Sequence, residues 1–180
     1  MVLLIAAKVR QKVRERLADV STGLNPNLIA VCADSNYAIT RPMQIDFGAS
    51  TKQFWQGEYD PRQLDSTTIT NYPLLIVYTV NESNQNQQKW AGARFSGSVT
   101  IIMQAWITWR NSKALRDSEV YGDAFVAAMF ETFNAPSTAA HWQAVGWNGG
   151  LTASRGPVDL AGEDFIQNIT FTASFNSVQA

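Results

Sequence analysis

Residues 98–109 read Ser98-Val99-Thr100-Ile101-Ile102-Met103-Gln104-Ala105-Trp106-Ile107-Thr108-Trp109. Val99, Ile101, Met103, Ala105, Ile107 and Trp109 take one phase of a two-residue period, while Thr100, Gln104 and Thr108 take the other. Successive side chains of a strand point to opposite faces, so the pattern predicts a long, half-buried strand. Ile102 and Trp106 interrupt the polar phase four residues apart, on the same side of the strand. A solvent-facing side would seldom carry both, so the second face is expected to be covered by the N-terminal helix, the arm described below or a neighbouring subunit. Burying the apolar phase yields on the order of 10 kcal/mol gross, at about 1.5 to 3 kcal/mol per large side chain. Backbone ordering takes back about 1 to 2 kcal/mol per residue, so the strand can stand only inside a larger sheet.

Upstream, Tyr72-Pro73-Leu74-Leu75-Ile76-Val77-Tyr78-Thr79-Val80 is nearly continuous in β-formers. It predicts a strand lying centrally in the sheet, with Pro73 tolerated near its start. The polar run 81–88 and the stretch 89–97 join it to the opening strand, which predicts an antiparallel hairpin with a long tip. Asparagine-rich tips are ordinarily just solvated, but Lys89, Trp90 and Arg94 flank this one, and since aromatic residues and Arg are enriched at interfaces the alternatives are a solvated tip and a contact with another protein.

Downstream, Val120, Ala124, Ala127 and Ala128 share one helical face, and Phe125, Met129 and Phe133 repeat at a spacing of four. This predicts a helix over 119–133 that packs on the sheet, ending before Pro136 because the residue preceding proline avoids helical geometry. The Trp147-Asn148-Gly149-Gly150 segment reads as a turn. A weaker strand follows over 151–160, interrupted at Gly156-Pro157. Ile169, Phe171, Ala173 and Phe175 then alternate with Asn168, Thr170, Thr172 and Ser174, giving a last strand and an antiparallel closing hairpin.

At the N-terminal end, Ile5, Val9, Val13 and Leu17 recur at a spacing of four while Lys8, Arg10, Lys12, Arg14 and Arg16 occupy other faces. This predicts an amphipathic helix over 2–20 with a solvated basic face, closed by a left-handed cap at Gly23. Asn25-Pro26 caps a short second element, and 28–32 is too short for periodicity to choose between a helical turn and a buried strand. Residues 34–71 read as an extended arm or long loop, with Met43, Ile45 and Phe47 alternating as in a short strand. Such length is uncommon in a compact domain unless it functions, and the arm carries Phe54, Trp55 and Tyr59 beside Lys52 and Arg62. The alternatives are an interaction arm and a loop folded onto its own core.

The expected fold class is α+β. A mostly antiparallel sheet of two hairpins is flanked by an N-terminal and a central helix, in a single domain over 1–180. The chain has 180 residues, 46% of them hydrophobic and 16% charged, with a net charge of -1. That size buries a core without metals or disulfides, and that charge gives no bulk attraction to DNA. Cys32 is the only cysteine, which excludes an internal disulfide and a cysteine-rich zinc site and suits a reducing cytosol. No run reaches the roughly 18 apolar residues of a spanning helix, and 2–7 lacks the basic lead of a secretory signal, so a soluble protein without membrane attachment is expected.

No serine lies in a Gly-x-Ser-x-Gly elbow, and the single His141 cannot build a multi-histidine metal centre. The glycines fit neither the dinucleotide nor the nucleoside-triphosphate loop. Glu163-Asp164 is a lone adjacent carboxylate pair before a strand. No catalytic, cofactor-binding or metal-ligating residue is therefore assigned, and no enzyme activity is expected.

The order of elements resembles that of the tail-terminator, or tail-completion, proteins that join head and tail in long-tailed bacteriophages. The resemblance spans most of the chain: the Val9/Val13/Leu17 helix, Pro73-Leu74-Leu75-Ile76-Val77 leading to the 98–109 strand, the 119–133 helix, and the final 165–175 strand. It rests on order and spacing rather than an invariant motif, and the 34–71 arm is longer than in compact members of the family. The resemblance implies a structural virion protein assembled in the host cytoplasm into a homo-oligomeric ring, a hexamer, that caps the tail tube. Its partners would be further copies of itself, the tail tube protein and the head-closure or connector protein. Genomic DNA would cross the lumen without specific binding. The other readings are a head-closure or neck adaptor, and a small cytosolic α+β ligand-binding or enzymatic domain.

Overall fold

The computed structural model describes residues 5–34, 44–48, 53–57, 72–84, 95–110, 116–135, 141–142, 145–161 and 164–179. Among these the chain runs α1 (Ile5–Leu17), α2 (Leu24–Asp34), β1 (Phe54–Gln56), β2 (Leu74–Asn84), β3 (Phe95–Arg110), α3 (Arg116–Asn134), β4 (Trp147–Ala161) and β5 (Asp164–Gln179). No described helix is long and apolar enough to cross a membrane.

The five strands form one sheet in the order β1-β2-β3-β5-β4. All neighbours are antiparallel except β1 and β2. The two expected hairpins are therefore present, and they meet where β3 pairs with β5 in unbroken register from Phe95↔Gln179 to Arg110↔Asp164. The centre of the sheet is β3. The 72–80 strand, expected to be central, lies second, and β1 borders it only at Leu75–Val77.

The apolar phase of β3 packs as expected. Val99, Ile101, Met103, Ala105 and Ile107 are buried, with Leu75 and Val77 of β2 and Ile169, Phe171 and Phe175 of β5 on the same face. Phe125, Ala128, Met129 and Phe133 of α3 close over that face. Val9, Val13 and Leu17 of α1 and Leu24 and Leu28 of α2 belong to the same core. Spacing by four puts these residues on one side of their helix, so a single sheet face satisfies all the helices.

The second face carries a smaller cluster of Leu74, Ile76, Trp106 and Ile166, with Tyr72 and Tyr78 against it. Trp106 is 5% exposed and Ile102 half-buried, so neither pattern-breaker is bare. The N-terminal helix is not their cover, since α1 packs on the opposite face.

Local chemistry corrects several expectations. The chain leaves α1 through Asp19, whose Oδ1 accepts from Ser21 N at 3.0 Å and Thr22 N at 2.7 Å. Gly23 does not adopt the expected positive φ. It is needed for space: a Cβ there would lie 2.3 Å from the Asp19 carbonyl oxygen. Residues 28–32 are helical, and Asn25-Pro26 falls inside the first turn of α2. The Asn25 side chain does not cap that helix. Its Nδ2 donates to Ile45 O at 2.7 Å and its Oδ1 accepts from Ile45 N at 2.8 Å, a strand-like pairing that seats Ile45 in the core.

The 147–150 segment is strand, not turn. The turn lies one step earlier, at Gly146, with φ +59°, and Gly149, with φ +80°, sits in a bulge between Trp147 and Leu151. A second register break falls between Arg155 and Val158, at Gly156-Pro157. Proline has no N–H for the ladder, and the Gly156 carbonyl is instead taken up by Gln167 Nε2 at 3.0 Å.

Candidate assembly interface

Of the residues marked by sequence, Phe54 and Trp55 lie among those described. Tyr59, Lys89, Trp90 and Arg94 lie outside them, as do Lys52, Arg62 and the hairpin tip. β1 separates its two aromatics, because adjacent residues of a strand face opposite ways. Phe54 turns to the helical side: its ring is 5.2 Å from Phe47, and the Arg14 guanidinium stands 5.6 Å from its centroid. Trp55, beside Ile76 in the register, turns to the second face and stays 38% exposed. The described parts of the 34–71 region, 44–48 and 53–57, thus fold onto their own core through Ile45, Phe47 and Phe54.

The basic residues of α1 serve the fold more than a partner. Arg10 Nη1 donates to Thr79 Oγ1 at 2.6 Å and Arg14 Nη2 to Phe47 O at 3.2 Å. Arg16 is 6% exposed and donates to Thr132 O at 2.7 Å and Thr22 O at 2.8 Å, with burial pulling its pKa down. Lys12 bridges Glu15 at 2.7 Å, and that hydrogen bond lowers the Glu15 carboxyl. The expected solvated basic face is therefore largely committed to neighbours.

His141 holds the Lys12 carbonyl through Nε2 at 2.8 Å, so its ring ties the start of the 141–147 segment to α1. Trp142 stacks on Phe133 at 5.0 Å and lies 5.7 Å from Phe175. These contacts are core packing. Among the described residues, no group of His, Cys, Asp and Glu is placed to hold a metal ion. Burial raises the Cys32 thiol, the reverse of what an activated nucleophile needs.

The features left over lie at the two ends of the sheet. On β4, the outermost described strand, Gly149, Gly150 and Thr152 to Arg155 are exposed and Leu151 is half-buried. This segment carries no charge before Arg155. Natural edges are usually blunted by Lys, Pro or a bulge, and here such features stand on either side of 151–155, at the Gly149 bulge and at Gly156-Pro157. At the other end no described strand runs beside β2 beyond Val77, and Val80, Asn81 and Glu82 are exposed there. Sequence reading marked the aromatic loops by residue and named unpaired hairpin strands only in general; the uncharged run 149–154 at the β4 edge lies in a strand taken to be weak.

No protein-family model matches the chain, and no curated protein matches it in sequence.

Proposed function

We propose that the protein is a structural component of a long-tailed phage virion, a tail terminator that forms a ring on the head-proximal end of the tail tube and presents a surface to the head connector. The observation that carries this reading is the layering of the domain. Among the described residues, helices cover one sheet face only, and both ends of the sheet have backbone open to another chain. A head-to-tail interface that closes after rotation builds a ring from such a unit. The element order matches the family resemblance from α1 to β5, and the net charge of -1 suits a lumen that lets DNA pass without gripping it.

Light scattering on the eluting protein, with negative-stain images of the same fractions, tests the ring. A closed ring at high concentration, or on addition of tail tubes, is expected. A monomer under both conditions would overturn the reading. Binding to isolated tubes rather than to isolated connectors separates a terminator from a neck adaptor.

A further inference from the structure

We infer that the apolar patch on the second sheet face, around Leu74, Ile76, Trp106 and Ile166, is covered by the chain's own connection from β1 to β2, residues 58–71, and not by a partner.

Within the single chain Leu74 and Ile76 are 0% exposed, Trp106 5% and Ile166 4%. Strand side chains stand out of the pleat, so on a bare sheet face their tips would stay in water. Tyr72 and Tyr78 flank the patch, but α1, α2 and α3 all lie on the other face. Among the described residues no helix or second strand layer supplies the cover that this burial requires.

Topology identifies the segment. β1 and β2 are parallel neighbours, so a chain leaving β1 must travel back across one sheet face before it enters β2. It leaves at Gly57, whose N–H donates to Val77 O at 3.0 Å, and β2 begins at Leu74 after Tyr72-Pro73. The return from the level of Val77 to that of Tyr72 is about 16 Å at roughly 3.3 Å per residue, well within the reach of residues 58–71.

Handedness chooses the face. Connections between parallel strands of one sheet are right-handed in about 98% of cases. β3 and β4 are parallel, with β5 between them, and α3 joins them on the helical side. Viewed from that side with β3 pointing up, a right-handed turn through α3 puts β4 to the right. Turning the same view upside down makes β1 and β2 point up, with β2 to the left of β1. A connection on the helical side would then be left-handed. Across the second face it is right-handed, and it passes over β2 beside the buried patch. The segment's sequence suits that place: Tyr59, Leu64 and Ile69 are apolar, and no charge falls between Asp65 and Tyr72. The inference holds for a monomer and for a ring alike.

The test puts p-benzoylphenylalanine in the full chain in place of Trp106, on the second face, or separately of Phe47, on the helical side, and maps the photo-crosslinks by fragmentation mass spectrometry. Products from Trp106 are expected to reach residues 58–71 of the same chain, and products from Phe47 are not. Capture of 58–71 from Phe47, or capture from Trp106 of no stretch outside the sheet or of a different one, would overturn the proposal. Mixing isotopically light and heavy chains identifies the source, and mixed-mass products would overturn the cover within one chain in favour of a second copy. A second measurement follows the labelling of Ile76→Cys in a Cys32→Ala background. Exchanging 58–71 for Gly and Ser at equal length should speed its reaction with a maleimide by about tenfold or more, because the thiol then no longer waits for local opening. An unchanged rate would overturn the assignment of 58–71 as the cover.

Discussion

Arg16 on α1 donates its Nε–H to the backbone carbonyl of Thr132 in the last turn of α3, at 2.7 Å. The same guanidinium holds Thr22 through Oγ1 at 2.7 Å and the carbonyl at 2.8 Å, and Thr132 Oγ1 accepts from Asn27 of α2 at 3.0 Å. One buried cation thus satisfies the Thr132 carbonyl at the end of α3 and shares the Thr22 carbonyl with Asn27 Nδ2, which donates to it at 3.2 Å. Arg16→Ala strands the Thr132 carbonyl and is expected to cost about 2 to 3 kcal/mol, the loss typical of a hydrogen bond to a charged group. Urea unfolding should show a lower midpoint at unchanged slope. An unaltered midpoint would show that the helices are joined by apolar packing alone.

The reach of sequence reading follows from which signals are local. β3 and α3 were legible because burial on one face imposes a period that any window reveals. The Val9/Val13/Leu17 helix was legible too, but not its side of the sheet, since α1 and α3 share the face lined by Ile101 and Met103. Gly23 shows the same limit. Its requirement is a 2.3 Å approach to Asp19 O, a constraint set by the path of the chain between two helices. β1 could not be found by alternation because three residues carry no period. Its pairing with Leu75–Val77 is parallel and non-local. At the candidate interface the aromatic signal split: Phe54 belongs to the core and Trp55 to the surface.

The two glycines with positive φ around the start of β4 are expected to differ in tolerance. At Gly146 a Cβ would lie 1.6 Å from Asn176 O, the residue whose N–H bonds back to Gly146 O at 2.6 Å. Gly146→Ala must therefore break the junction between the 141–147 segment and β5, in addition to the backbone strain of about 1 to 3 kcal/mol. At Gly149 nothing lies within 4 Å of that position. Gly149→Ala should cost only the left-handed conformation, about 1 to 2 kcal/mol. Thermal melts of the two variants check the order, and equal losses would contradict it.

Acid sensitivity should trace in part to Asp19. Backbone hydrogen bonds from Thr22 and Ser21 hold its carboxyl below the ordinary value, with the Thr22 hydroxyl and the Arg16 charge acting the same way. A carboxyl whose folded pKa is depressed contributes stability that is present above its unfolded pKa and lost as pH falls through the folded one. The loss falls below about pH 4, the ordinary range of Asp. Asp19→Asn keeps an oxygen for the two N–H groups but cannot titrate, so its stability should vary less with pH between about pH 4 and pH 2 than that of the parent. Parallel acid titrations, followed by tryptophan fluorescence, would count against this account.

Trp142 sits where three elements meet. Its ring stacks on Phe133 at 5.0 Å and its Nε1–H donates to Phe133 O at 3.2 Å. Trp142→Phe keeps most of the apolar body and removes the bond, for an expected loss of about 1 kcal/mol. Trp142→Ala empties the site and should cost about 3 to 5 kcal/mol. A Phe variant as damaged as the Ala variant would mean that the hydrogen bond, and not packing, holds the 141–147 segment to α3.

Phe54 and Trp55 are adjacent in sequence, and their variants are expected to fail in different assays. Phe54 lies among Phe47, Arg14 and the core below. Phe54→Ala should therefore lower stability by about 2 to 3 kcal/mol, less than a fully buried Phe because the site is only half-buried. Trp55 is 38% exposed on the opposite side of the same short strand. Trp55→Ala should move the unfolding free energy by no more than about 0.5 kcal/mol, the usual range for a surface change. If the second sheet face meets a neighbouring subunit, that same variant should raise the concentration needed for assembly, because truncating a buried tryptophan at an interface costs about 2 kcal/mol or more. Denaturant melts and sedimentation on both variants separate the two effects. Normal assembly by Trp55→Ala would leave that face out of the interface and place the contact at the sheet edges alone.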